Sequence, residues 1–325
     1  MMRRLLERST GATLADFPYI ISVPALKAIA WTTAAIAILL TLGRLGIRWR
    51  KSRRLHLDDC FNVVAATLLI PLVAATLAYI PIEYRAQLVM LGVSDDNPSR
   101  EEMTFSVKMV LATLLFFWIV VYMVKASFLA LYWRVFAASR RFRVAWWVTA
   151  AFVAISFGVT WMSVFWQCGT PSKLGDLEAC THLSMSILKA LLSVWCTLDI
   201  IGCILLMLLP IPMLPWRAGL NKAHLIGLLF IFTLVFLTMA LDVLRTVWYL
   251  SPNLAHNTDL VVLWVLLQPS IAVIICVLPT YGSLVPPGAQ RRAPNSFRSN
   301  FVRLSDGDFG HKPLELGKVG NCDNV

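Results

Sequence analysis

Seven long apolar runs constrain this chain more than any other feature. Each holds the roughly 20 residues a helix needs to cross about 30 Å of hydrocarbon at about 1.5 Å per residue. They lie near 24–43, 60–80, 106–132, 145–166, 186–209, 223–249 and 259–280. Transmembrane β-strands would be shorter and would alternate in polarity, so the spans are read as helices. The 325 residues leave only short loops between them, and 58% hydrophobic against 14% charged residues excludes a large soluble domain, a disordered chain or a disulfide scaffold. The expected fold is all-α: a seven-transmembrane helix bundle over 24–285, preceded by a short segment over 1–23 and followed by a disordered basic tail over 286–325. Periodicity does not show which faces point inward, because lipid-facing and core-facing positions are both apolar.

A formal charge of +11 would suggest nucleic acid as partner of a soluble protein, but here the basic residues sort by loop. The first loop carries Arg44, Arg48, Arg50, Lys51, Arg53 and Arg54, the third Arg134, Arg140, Arg141 and Arg143, the fifth Arg217 and Lys222, and the tail Arg291, Arg292, Arg298 and Arg303. The intervening loops are acidic or mixed, with Glu83, Asp95, Asp96, Glu101 and Glu102 in the second. The positive-inside rule puts the N-terminus outside and the C-terminus in the cytosol. Arg3, Arg4 and Arg8 oppose that orientation but are fewer and farther from a span. They imitate the start of a signal peptide, yet the apolar stretch begins late and is too long, so no removable presequence is expected. The expected partners are membrane lipid, an unknown small molecule and a cytosolic signalling protein meeting Arg134, Arg140, Arg141 and Arg143. No nucleic acid is expected, and the plasma membrane is the expected location.

The residues that could carry chemistry are few. His56, His182, His224, His256 and His311 lie in loops, at helix ends or in the tail, and none pairs with another at i, i+4, so no metal site is expected. A glycine-rich phosphate loop and a nucleophile elbow are also missing, so no enzyme, catalytic residue or cofactor is expected. Retinal needs a helix lysine, typically in the seventh span, and 259–280 holds none. Charges inside spans are costly and need partners or water, which singles out Lys125, Asp199, Asp242 and Arg245. Asp242 and Arg245, at i, i+3, can satisfy each other. Lys125 is placed to snorkel or to pair with Asp199, and Gln268, beside Pro269, is read as bonding a locally freed carbonyl. Four other cysteines, Cys60, Cys196, Cys203 and Cys276, read as apolar packing residues. Cys168 and Cys180 share the fourth loop, where an oxidising exterior favours a disulfide worth about 3 kcal/mol of loop ordering.

Several segments together resemble the fungal rhodopsin-like integral membrane family, which includes receptor-like proteins of plant pathogens and members encoded in secondary-metabolite clusters such as satratoxin's. They are Leu57-Asp58-Asp59; Lys125-Ala126-Ser127 through Tyr132-Trp133-Arg134-Val135-Phe136; Gln167-Cys168-Gly169-Thr170-Pro171 with Cys180; Leu198-Asp199; Leu209-Pro210-Ile211-Pro212; Arg245; and Trp264 to Pro279. The resemblance covers about 25–285. It implies a seven-span fold and does not imply retinal. Members often carry an acid after the tryptophan of the last helix, where this chain has Gln268. The expected function is a receptor-like sensor of a small, apolar molecule, against two alternatives: a small-molecule or secondary-metabolite transporter, or a noncatalytic membrane component of a metabolite gene cluster.

Overall fold

A computed structural model describes residues 23–53, 55–90, 95–137, 139–167, 185–210, 233, 235–244, 246–247 and 258–282. Residues 287–325 lie outside the described residues. Cys168, Cys180 and Arg245 also lie outside them, as does the tail expected to be disordered. In chain order the helices are α1 (Val23–Ser52), α2 (Leu57–Met90), α3 (Arg100–Phe136), α4 (Arg140–Phe165), α5 (Met185–Leu208), α6 (Val235–Leu244) and α7 (Thr258–Gly282). No strand occurs among the described residues. All but α6 are long and apolar enough to cross a membrane. The chain is an all-α seven-helix bundle and an integral multi-pass membrane protein.

Most helices outrun their apolar stretches. At about 1.5 Å per residue, the 37 residues of α3 span roughly 55 Å, well beyond the hydrocarbon. Their ends therefore reach the polar headgroup layer, where charged side chains and caps close them. Ser99 caps α3: its hydroxyl accepts from the Glu102 N–H at 3.2 Å while the Glu102 carboxylate accepts from the Ser99 N–H at 2.9 Å. The same carboxylate binds Arg85 of α2, which joins α2 to α3 at this end. At the opposite end, Asp58 and Asp59 occupy the first turn of α2, where the helix dipole favours negative charge.

The packing centres on α3. It lies along α2 for most of its length and also touches α4, α5 and α7, while α1 packs against α2 and α7. Its stretch from Phe117 to Tyr132 supplies much of the core, including fully buried Trp118 against Trp195 of α5 at 5.6 Å between ring centroids.

Residue size marks the inward faces that hydrophobicity leaves unmarked. On α1 the buried stripe is Leu26, Ala30, Ala34, Ala37, Thr41 and Arg44, whereas Trp31, Ile36, Leu39 and Leu42 face outward. On α4 the buried stripe includes Thr149, Val153, Ser156 and Thr160, while Trp147, Val148, Ile155 and Met162 are exposed. Lipid tails are as apolar as leucine, so helices associate through close packing and polar contacts between small residues, and bulk turns to the lipid. Gly43 belongs to the same logic: a Cβ there would overlap the Tyr281 hydroxyl of α7, which donates to the Leu40 carbonyl at 2.8 Å.

Candidate polar cavity and ionic cluster

Lys125 of α3 and Asp199 of α5 meet inside the bundle. The ammonium donates to Asp199 Oδ1 at 2.6 Å and to the Asp199 carbonyl at 3.0 Å, with both residues at most 5% exposed. Lys125 is thus sealed in the core and does not snorkel, because the carboxylate and carbonyl offset the loss of water more locally than a distant headgroup would. The Tyr122 ring lies 5.1 Å from the ammonium and adds a cation–π contact. Gly202, three residues beyond Asp199, gives the ammonium its room: a Cβ there would come within 3.1 Å of Lys125 Nζ.

One turn further along α5, Cys203 places its Sγ 4.0 Å from Asp199 Oδ2. Asp242 of α6 and Gln268 of α7 complete the group, with the Gln268 amide donating to Asp242 Oδ1. This overturns the local reading of Gln268, whose amide joins two helices and leaves the α7 backbone aside. The Thr246 hydroxyl bonds the Asp242 carbonyl at 2.8 Å. Gln268 Oε1 is buried and accepts nothing, an exception among buried polar atoms that calls for a physical cause. Lys125, Asp199, Cys203, Asp242 and Gln268 line a cavity of about 40 Å³ together with Val121, Phe128, Leu206 and Ile275. That is room for a few waters or an ion, far below the roughly 300–1,000 Å³ of drug-sized sites. The Asp199 carboxylate, the Cys203 thiol and the Asp242 carboxylate offer ligand atoms within 4.8 Å of one another.

A second polar cluster sits where α1 ends and α2 begins. Arg44 Nε pairs with Asp59 at 2.9 Å, its Nη2 with Asp58 at 2.7 Å, and its Nη1 donates to the Cys276 carbonyl of α7 at 2.6 Å. Arg48 reaches Asp58 at 2.7 Å and Asp59 at 2.8 Å. The Ser127 hydroxyl of α3 donates to the Asp58 carbonyl at 2.7 Å, and the Cys276 thiol donates to Ser127 Oγ at 3.2 Å. Two guanidiniums and two carboxylates cancel, so the quartet fastens α1, α2, α3 and α7 with no net charge. Placing Arg44 and Arg48 in a loop was therefore wrong: α1 continues as a helix past its apolar run. The signal was present, because Arg44 falls three residues after Thr41 and seven after Ala37, on the small-residue stripe.

Of the arginines at the next loop, Arg134 is half-buried at the end of α3, while Arg140, Arg141 and Arg143 are exposed in the first turn of α4. Basic residues there oppose the helix dipole, at a cost of a few tenths of a kcal/mol each. Trp133 and Trp146 pack at 4.6 Å beside them, and Trp147 is exposed, an aromatic pattern typical of the headgroup boundary. Cys60 is exposed on α2 and does not pack inside, whereas Cys203 and Cys276 are buried and both enter polar contacts.

A family model described as the fungal rhodopsin domain matches residues 43–286. No curated protein and no solved structure matches the chain. The matched stretch runs from Gly43 to beyond the end of α7 and so takes in both polar clusters.

Proposed function

Because the chain belongs to the fungal rhodopsin domain family, we propose that it is a noncatalytic, receptor-like sensor that relays an event at the central cavity to its loop-end arginines. The observation that carries this reading is the sharing of two helices. On α3, Lys125 lies in the cavity and Ser127, two residues on, binds the ionic quartet. On α7, Gln268 lies in the cavity and the Cys276 carbonyl, two turns on, receives Arg44. A shift of α3 or α7 that alters the cavity must strain the quartet, since packed interiors switch between arrangements more readily than they deform. The ligand is a small molecule whose entry widens the cavity between α5, α6 and α7. With the N-terminus outside, Arg134, Arg140, Arg141 and Arg143 face the cytosol, where a partner with acidic groups, or anionic lipid, offsets their charge. The plasma membrane is the site of action.

A transporter is the second reading, favoured by one feature: a buried ion pair beside a cavity, as substrate pathways often have. The deciding experiment compares candidate metabolites in two assays: uptake or efflux in cells with and without the gene, and binding to the purified protein by thermal shift. Saturable binding without flux supports the sensor. Saturable flux abolished by Asp199→Asn makes the transporter reading win, and neither binding nor flux, with stable association to enzymes of a pathway, makes it a membrane component of that pathway.

A further inference from the structure

The geometry points to a metal site: we propose that Asp199, Cys203, Asp242 and Gln268 hold one thiophilic divalent transition ion of the zinc class. This goes beyond the sensor reading and stands whichever way that reading falls.

Asp199 and Cys203 are four residues apart on α5 and so project from one face of the helix, the spacing by which a single helix offers two ligands to one ion. Asp242 supplies a third from α6, and the three ligand atoms already lie within 4.8 Å of one another. The independent pointer is Gln268 on α7. It is 2% exposed and lines the same cavity, its amide N–H already serves Asp242, and its Oε1 has no donor. A buried carbonyl oxygen left bare beside a cavity is accounted for by a cation or a water next to it, and the neighbouring thiol and carboxylates favour the cation. Three oxygens and one sulfur from three helices make a four-coordinate set, the number preferred by zinc.

Softness and ligand number narrow the ion. Lys125 holds Asp199 Oδ1, and Asp199 Oδ2 lies 4.0 Å from the Cys203 thiol. Cys203 would bind as its thiolate, whose proton leaves to bulk water on binding. Calcium and magnesium prefer all-oxygen sets with more ligands than this cavity supplies, and the sulfur disfavours them. The cavity of about 40 Å³ has room for the ion and a water.

The test uses tag-free full-length protein in detergent, stripped with chelator and titrated with Co²⁺ and then Zn²⁺. The expected result is uptake of one equivalent of Co²⁺, with the visible bands of a tetrahedral site and a near-ultraviolet thiolate-to-metal band, all displaced by Zn²⁺. Cys203→Ser should remove the thiolate band, and Asp242→Asn and Gln268→Leu should each weaken binding at least tenfold. Cys276→Ser, altering a buried thiol outside the group, should leave the spectrum unchanged. Tryptophan-fluorescence melting establishes that each variant is folded, and if Asp242→Asn does not fold, the near-isosteric Cys203→Ser decides. Failure of the wild type to take up stoichiometric Co²⁺, or a spectrum that survives Cys203→Ser, overturns the proposal and leaves a hydrated cavity.

Discussion

Removing either Lys125 or Asp199 strands the other charge in a medium that cannot solvate it. Breaking a buried pair from one side typically costs about 3–5 kcal/mol, whereas replacing both partners with apolar groups is often nearly neutral. Hydrogen bonds between transmembrane helices average only about 0.6 kcal/mol, because the unfolded chain in the membrane finds other partners. A lone ammonium or carboxylate has no such substitute, so the larger figure should govern here. Lys125→Met and Asp199→Leu are each expected to lower thermal stability sharply, and the double variant to recover most of the loss. Additive effects in that double-mutant cycle would show that the pair is not coupled. Gly202→Ala probes the same spot by crowding: a methyl group 3.1 Å from Nζ should displace the ammonium and cost about 1 kcal/mol, read as a lower melting temperature in a variant that still folds.

Whole helices respond to the quartet and to their caps. Asp58→Asn leaves Arg44 and Arg48 sharing one carboxylate where α1, α2 and α7 converge, and should destabilise the bundle by about 3 kcal/mol or more. Ser99→Ala removes only one cap contact of α3 and should cost about 1 kcal/mol. If both variants melt alike, the quartet contributes no more than an exposed cap. Lys125 and Asp199 were legible in the sequence because a charge inside an apolar run advertises itself. Six of the seven spans were legible from run length alone, although Pro81, inside the longer α2, fell outside the run assigned to it. Arg44 and Arg48 were hidden by their neighbours, since six basic residues in a row of eleven read as a solvated loop. The Asp242–Gln268 contact was hidden for another reason: it joins residues 26 apart on different helices, and no local pattern encodes such a meeting.

For the molecule as a whole, the sorting of arginines predicts orientation. A reporter near Thr10 should be reached from outside intact cells and one after Val325 only after permeabilisation; cytosolic signal from the N-terminal reporter would reverse every assignment of inner and outer ends. The size rule seen on α1 and α4 carries further. In a water-soluble protein a tolerance map is strictest for large core residues and loosest at the surface. Here a saturation scan should look inverted in size: Ala30, Ala34, Ala37, Ser156 and Thr160 should reject any enlargement, while Leu39, Ile155 and Met162 should accept almost any greasy replacement and refuse only charge. Lineages sharing this architecture are then free to drift over their entire lipid-facing surface, and what persists between them should be small residues and buried charges, the least conspicuous letters in an apolar chain.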